Sequence, residues 1–76
     1  EMIRGKVYLD MILDELGRMD ARGKTLEINV PSGAVSSVIG QHKVNKTLIL
    51  EKSAAKYVKI LEKNDLKEYN ISIRIN

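Results

Sequence analysis

The sequence predicts an α+β domain, a three-stranded antiparallel sheet covered on one face by three helices in the order helix, strand, helix, helix, strand, strand. Three observations lead there. An apolar stripe with helical spacing follows Val7. Two stretches, 25–30 and 69–75, alternate apolar and polar residues with the period of a strand. Finally, 76 residues with 43% apolar and 30% charged content suit one small globular domain rather than two, or a disordered tail.

The first helix is expected over 7–22, because Leu9, Ile12, Leu13, Leu16 and Met19 recur at i, i+3, i+4 and i+7. Asp10, Asp14, Glu15 and Arg18 take the other side, with Asp14 and Arg18 spaced for an i,i+4 ion pair. Gly23 is placed as a C-terminal cap. Next, Leu26, Ile28 and Val30 point one way along a half-buried strand, and Pro31, which lacks a ladder donor, ends it. Ser32 is positioned to cap a short helix with Val35, Val38 and Ile39 inward, and Gly40 stops that helix.

Between Val44 and Lys63 two parses stand. In one, 44–54 is a helix carrying Val44, Leu48 and Ile49, followed by a strand over 56–61 with Val58 and Ile60 on one face. In the other, 47–50 is the strand and 54–63 the helix, aligning Ala54, Val58 and Leu61. Asn64-Asp65 then signals a turn, and Ile71, Ile73 and Ile75 share the inward face of the last strand.

Composition narrows the chemistry. Without cysteine there is neither a disulfide framework nor a thiolate metal site, and a single histidine, His42, has no second ligand or nearby acid to make a metal centre or a triad with Ser36 or Ser37. Gly33 and Gly40 match no nucleotide-binding glycine pattern. Asp10 and Asp14 read as a solvated acidic face. The chain is therefore expected to be no enzyme, with no catalytic residue, metal or cofactor. It carries no apolar run near the roughly 18 residues of a membrane span and no signal-peptide core, so no membrane partner and a cytoplasmic location are expected. All 76 residues are read as one domain, a module of a larger protein whose neighbouring domains would be partners.

The net charge of +3 is unevenly distributed. Lys43, Lys46, Lys52, Lys56 and Lys59 face a single acid, Glu51, between Gln41 and Ile60. Such a stretch reads equally as a solvated face or as an electrostatic footprint for polyanions.

Ile28-Asn29-Val30-Pro31, then Val38-Ile39-Gly40, then Gln41-His42-Lys43 resemble the first strand, first core helix and GxxG loop of a KH domain. Glu51 to Tyr57 is similar to the passage from that family's second helix into its next strand. The resemblance covers about half the chain, from Leu26 to Ile60, with a type I-like order preceded by an N-terminal accessory helix. It implies binding of single-stranded RNA or DNA, with about four nucleotides held by their backbone at the loop. Ile39, Gly40, Gln41, His42, Lys43 and Lys46 would hold the strand, Val35, Leu48 and Tyr57 would floor the bases, and Lys56 and Lys59 would add long-range attraction. Taken by its strand alone, Tyr57 is a core residue; in the resemblance it is a stacking platform worth about 1–3 kcal/mol per base.

Two residues depart from the family pattern. Lys43 stands at the second glycine of the loop and Ala54 at another common glycine. If position 43 requires a positive φ, lysine there costs about 1–2 kcal/mol. An alternative reading keeps the fold but makes the domain a protein-interaction or homo-oligomerisation unit, joined through the N-terminal helix by the seam-like spacing of Leu9, Ile12, Leu16 and Met19.

Overall fold

The structure, a computed structural model, describes residues 2–76. Its elements are α1 (Met2–Leu16), β1 (Thr25–Pro31), α2 (Val35–Ile39), a 3₁₀ turn (Gln41–Lys43), α3 (Val44–Ser53), β2 (Tyr57–Lys63) and β3 (Ser72–Ile75). The α+β class, the order of elements and the three-stranded sheet agree with expectation. So does the first parse of 44–63.

The sheet is mixed rather than antiparallel, a correction to the type I-like expectation. Its order is β2-β1-β3, with β1 parallel to β2 in the register Leu26↔Val58 and Ile28↔Ile60. β3 runs antiparallel on the other edge, with Leu26↔Ile75 and Ile28↔Ile73. The cause is topological. The connection from Ser32 to Lys56 carries both α2 and α3 over one face and returns the chain to the end where β1 began, which makes the next strand parallel.

Register brings the apolar positions of all three strands onto one face. Leu26, Ile28 and Val30 are fully buried there, Val58 nearly so, and Ile60, Ile73 and Ile75 pack at the margins. α2 and α3 lie against this face, and α1 packs across both of them. From α1 come Tyr8 and Ile12, both fully buried, with Leu9 and Leu16 partly so.

Tyr8, one helical turn before Ile12, is a core residue that the stripe beginning at Leu9 does not include. Its hydroxyl accepts the N–H of Tyr69 at 2.9 Å, and the two rings stack with centroids 5.2 Å apart. Arg4 adds a two-pronged ion pair to Glu68, at 2.9 and 3.0 Å. These contacts hold residues 64–71, which must cross the end of β1 because β2 and β3 lie on opposite edges.

α1 also starts earlier and ends earlier than its periodicity suggests. It includes Gly5, where a Cβ would stand 2.8 Å from the Ser37 carbonyl oxygen, so glycine lets α1 and α2 approach backbone to backbone. It stops at Leu16 because Gly17, a poor helix former, is followed by i→i−3 bonds from Arg18 to Glu15 and from Met19 to Leu16. Gly23 therefore caps no helix; its N–H donates to the Ala54 carbonyl at 3.0 Å beside the start of β1. The expected Asp14–Arg18 pair is present at 2.9 Å, and Asp10 pairs with Lys6 at 3.4 Å. Ser32 likewise is not a cap: α2 begins after Ala34, with no side-chain cap bond.

At the far end of α3, the buried Ser53 hydroxyl donates to the Leu50 carbonyl and accepts the Ala55 N–H at 3.2 Å. Ala54 follows at φ 55°, ψ 26°, the left-handed region where glycine is at home.

Candidate nucleic-acid interface

α2 ends abruptly at Gly40, whose φ of 81° and ψ of 166° fall in a region essentially reserved for glycine. The neighbours of Gly40 exclude a side chain as well: a Cβ there would lie 2.9 Å from Asn45 Cγ and 3.0 Å from Asn45 N. The turn that follows is tight. Gly40 N–H donates to the Ser36 carbonyl at 3.0 Å, Lys43 N–H to the Gly40 carbonyl at 3.1 Å, and Val44 N–H to the Gln41 carbonyl. Neither the N–H of Gln41 nor that of His42 donates to another described residue. Both residues are exposed.

His42 (φ 56°) and Lys43 (φ 61°) are both left-handed. The condition attached to Lys43 is thus met: the loop keeps a glycine-type backbone at a position that holds lysine. Ala54, at the other common glycine position, does the same. Each such residue costs about 1–2 kcal/mol, of which glycine would recover part after its greater unfolded-state entropy is counted. Ala54→Gly and Lys43→Gly are each expected to raise stability by about 0.5–1 kcal/mol in urea unfolding. A loss in either variant would show that the left-handed backbone is not the native one.

The sequence-predicted residues fall into two groups. Gly40, Gln41, His42 and Lys43 form the corner, Ile39 lies half-buried beneath it, and Lys46 stands one turn into α3. The Lys46 amine sits 5.8 Å from the centroid of the Tyr57 ring, which joins α3 to the edge strand β2. Tyr57 is 53% exposed, so the reading of it as a core residue is corrected; the Lys46 amine lies over its ring. Val35 and Leu48 are partly buried behind these groups.

Lys59 and Lys56 lie apart. Lys59, like Tyr57, alternates with the inward Val58 and Ile60 and so starts from the sheet face away from the helices, in register with Glu27; it is Tyr57, at the beginning of β2, that reaches Lys46. Lys56 is exposed in the turn before β2, its N–H bound to the Lys24 carbonyl at 2.8 Å.

Sequence reasoning missed Asn45. Its side-chain amide reaches the carbonyls of Gly5 (3.5 Å) and Ser37 (3.4 Å), stapling α1 to the end of α2 just behind the loop. Gly5 lay outside the helix expected over 7–22, so the close approach it permits carried no signal in the sequence. Among the described residues, no group of three His, Cys, Asp or Glu side chains is placed to hold a metal ion, and no helix is long and apolar enough to cross a membrane.

Comparison with protein-family models, with curated proteins and with solved structures finds no match to this chain.

Proposed function

We propose that this domain binds single-stranded RNA or DNA through the corner at Gly40–Lys43, as a non-catalytic, KH-like module of a larger cytoplasmic protein. The observation that carries this reading is the left-handed backbone at His42 and Lys43, two and three residues after Gly40, between two helices of a strand-helix-helix-strand unit. Single left-handed residues also occur at Ala54 and Tyr69, but only here do two stand in a row, and strain of this kind clusters at ligand-binding backbone.

Each part has a physical role. The Gln41 and His42 N–H groups supply donors to a phosphate oxygen, and Gly40 lets the sugar-phosphate chain approach without meeting a side chain. Lys43 places its charge beside the same phosphate, so that a direct ionic contact stands in for the close approach a second glycine would allow. Lys46 continues the basic track, and Tyr57 offers a ring on which a base stacks. Lys56 and Lys59 contribute only to the long-range potential.

Interaction through α1 is the second reading, and one feature favours it. Leu9, Ile12 and Leu16 are engaged in the domain's own core, but Ile3 (81% exposed) and Val7 are turned outward.

Anisotropy of a labelled mixed-sequence tetranucleotide, read across ionic strengths, tests the first. With two or three phosphates neutralised, the logarithm of the association constant should fall with that of salt with a slope of about −1.4 to −2.1. Absence of binding at low salt would sink the proposal.

A further inference from the structure

One side of the β3 backbone is unused. Thr25 exchanges both backbone bonds with Asn76, donating at 3.1 Å and accepting at 2.9 Å, so Ser72 and Arg74 likewise turn their N–H and C=O groups to β1. Ile73 and Ile75 direct theirs the other way, off the edge of the sheet. Ile71, just before the strand, does the same once the strand is extended by that one residue.

The two edges of the sheet are not equally protected. On β2 the outward backbone groups belong to Val58, Ile60 and Glu62. Val58 is buried there, and the exposed Lys59 and Lys63 flank the remainder, which is how natural sheets block strand addition. β3 has no such guard. Its one charge is Arg74, and Ile71, Ile73 and Ile75 are all half-buried, unlike the fully buried Leu26, Ile28 and Val30 of the central strand.

We infer that β3 pairs with β3 of a second copy of this chain, antiparallel about a two-fold axis at Ile73, so that two sheets become one with the helices of both copies on the same side. The side chains of this strand are complementary to themselves in that register. Ile73 meets its equivalent and Ile71 meets Ile75 on the helix side, which completes the burial of the isoleucines. On the other side Ser72 stands opposite Arg74 of the other copy. The next register, centred on Arg74, would set two arginines directly against each other in a close non-hydrogen-bonded pair. A strand of four residues buries less than the roughly 1,200 Å² of stable assemblies, so the dimer exchanges and fills only at high protein concentration. It uses the edge opposite the one that carries Tyr57 and needs no nucleic acid.

NMR of the full chain tests this. Amide shifts of Ile71, Ile73 and Ile75 should move with protein concentration up to the millimolar range. In a mixture of labelled and unlabelled chains, an isotope-filtered contact is expected between Ser72 Hα and Arg74 Hα of the other copy, since α-protons of a non-hydrogen-bonded pair lie close together. Ser72→Glu and Ser72→Lys alter an exposed position outside the core. The first sets a carboxylate opposite Arg74 and the second an ammonium, so the glutamate variant should dimerise about tenfold more tightly than the lysine variant, with the gap narrowing as salt rises. A chain that stays monomeric at millimolar concentration, concentration-dependent shifts confined to Ile3 and Val7, an Arg74–Arg74 contact between copies, or equal association of the two variants would overturn the inference.

Discussion

Gly40→Ala is expected to destabilise the domain by about 3 kcal/mol or more, because two independent costs add. The backbone at φ 81°, ψ 166° is strained for any residue with a Cβ, at about 1–3 kcal/mol. Added to this is the clash of that Cβ with Asn45 Cγ at 2.9 Å and Asn45 N at 3.0 Å, where atoms of a helix and of a bonded carboxamide must move, at about 1–3 kcal/mol. For a domain of this size a loss of that order lowers the melting temperature by roughly 10–25 °C. Gly33→Ala is the matched control: its φ is also positive, at 83°, but nothing lies within 4 Å of an added Cβ. The control should lose only the backbone share, about 1–2 kcal/mol. Equal losses in the two variants, followed by circular dichroism during heating, would contradict the packing of Asn45 against the loop.

The second large effect is on binding. In the double variant His42→Asp, Lys43→Asp the corner loses its cation and gains two carboxylates where a phosphate would sit. Affinity for a short single strand should fall about a hundredfold, the loss of one charge-assisted contact plus direct repulsion. The fold should survive, since both side chains are exposed and aspartate tolerates a left-handed backbone better than lysine does. Arg74→Asp, on β3 at the far edge of the sheet, should change affinity by less than about threefold, through long-range potential alone. A similar loss from Arg74→Asp would mean that net charge, not the corner, governs binding.

What the sequence disclosed and what it withheld follow from the range over which each feature is determined. Local alternation was enough for β1 and β3, whose inward residues Leu26, Ile28, Val30, Ile73 and Ile75 are those that pack. Strand direction was not local. It depends on where two helices deliver the chain, and although a helical crossover implies a parallel neighbour, the family order suggested otherwise. Residues 44–63 contain apolar spacings compatible with helix or strand, and the choice falls to contacts such as the pairing of 57–63 with β1. Once that choice is made, the outward placement of Tyr57 and Lys59 follows from the parity of Val58 and Ile60. In the candidate site, Gly40 through Lys43 and Lys46 were legible as a motif. Asn45 was not, because its role arises from the approach of Gly5 and Ser37, distant in the chain. The left-handed angles at Lys43 and Ala54 were visible only indirectly, as departures at positions where a glycine was expected.

The most direct test of the proposed phosphate contact at the Gly40–Lys43 corner is a residue-resolved titration of the whole chain with a short mixed-sequence single strand, recorded by amide shifts at low and moderate salt. The predicted result is saturable movement confined to Val38–Lys46 and Tyr57, led by the Gln41 and His42 amides and weakening as salt rises. Amide shifts centred on β3 or on α1, with Gln41 and His42 unmoved, would contradict it.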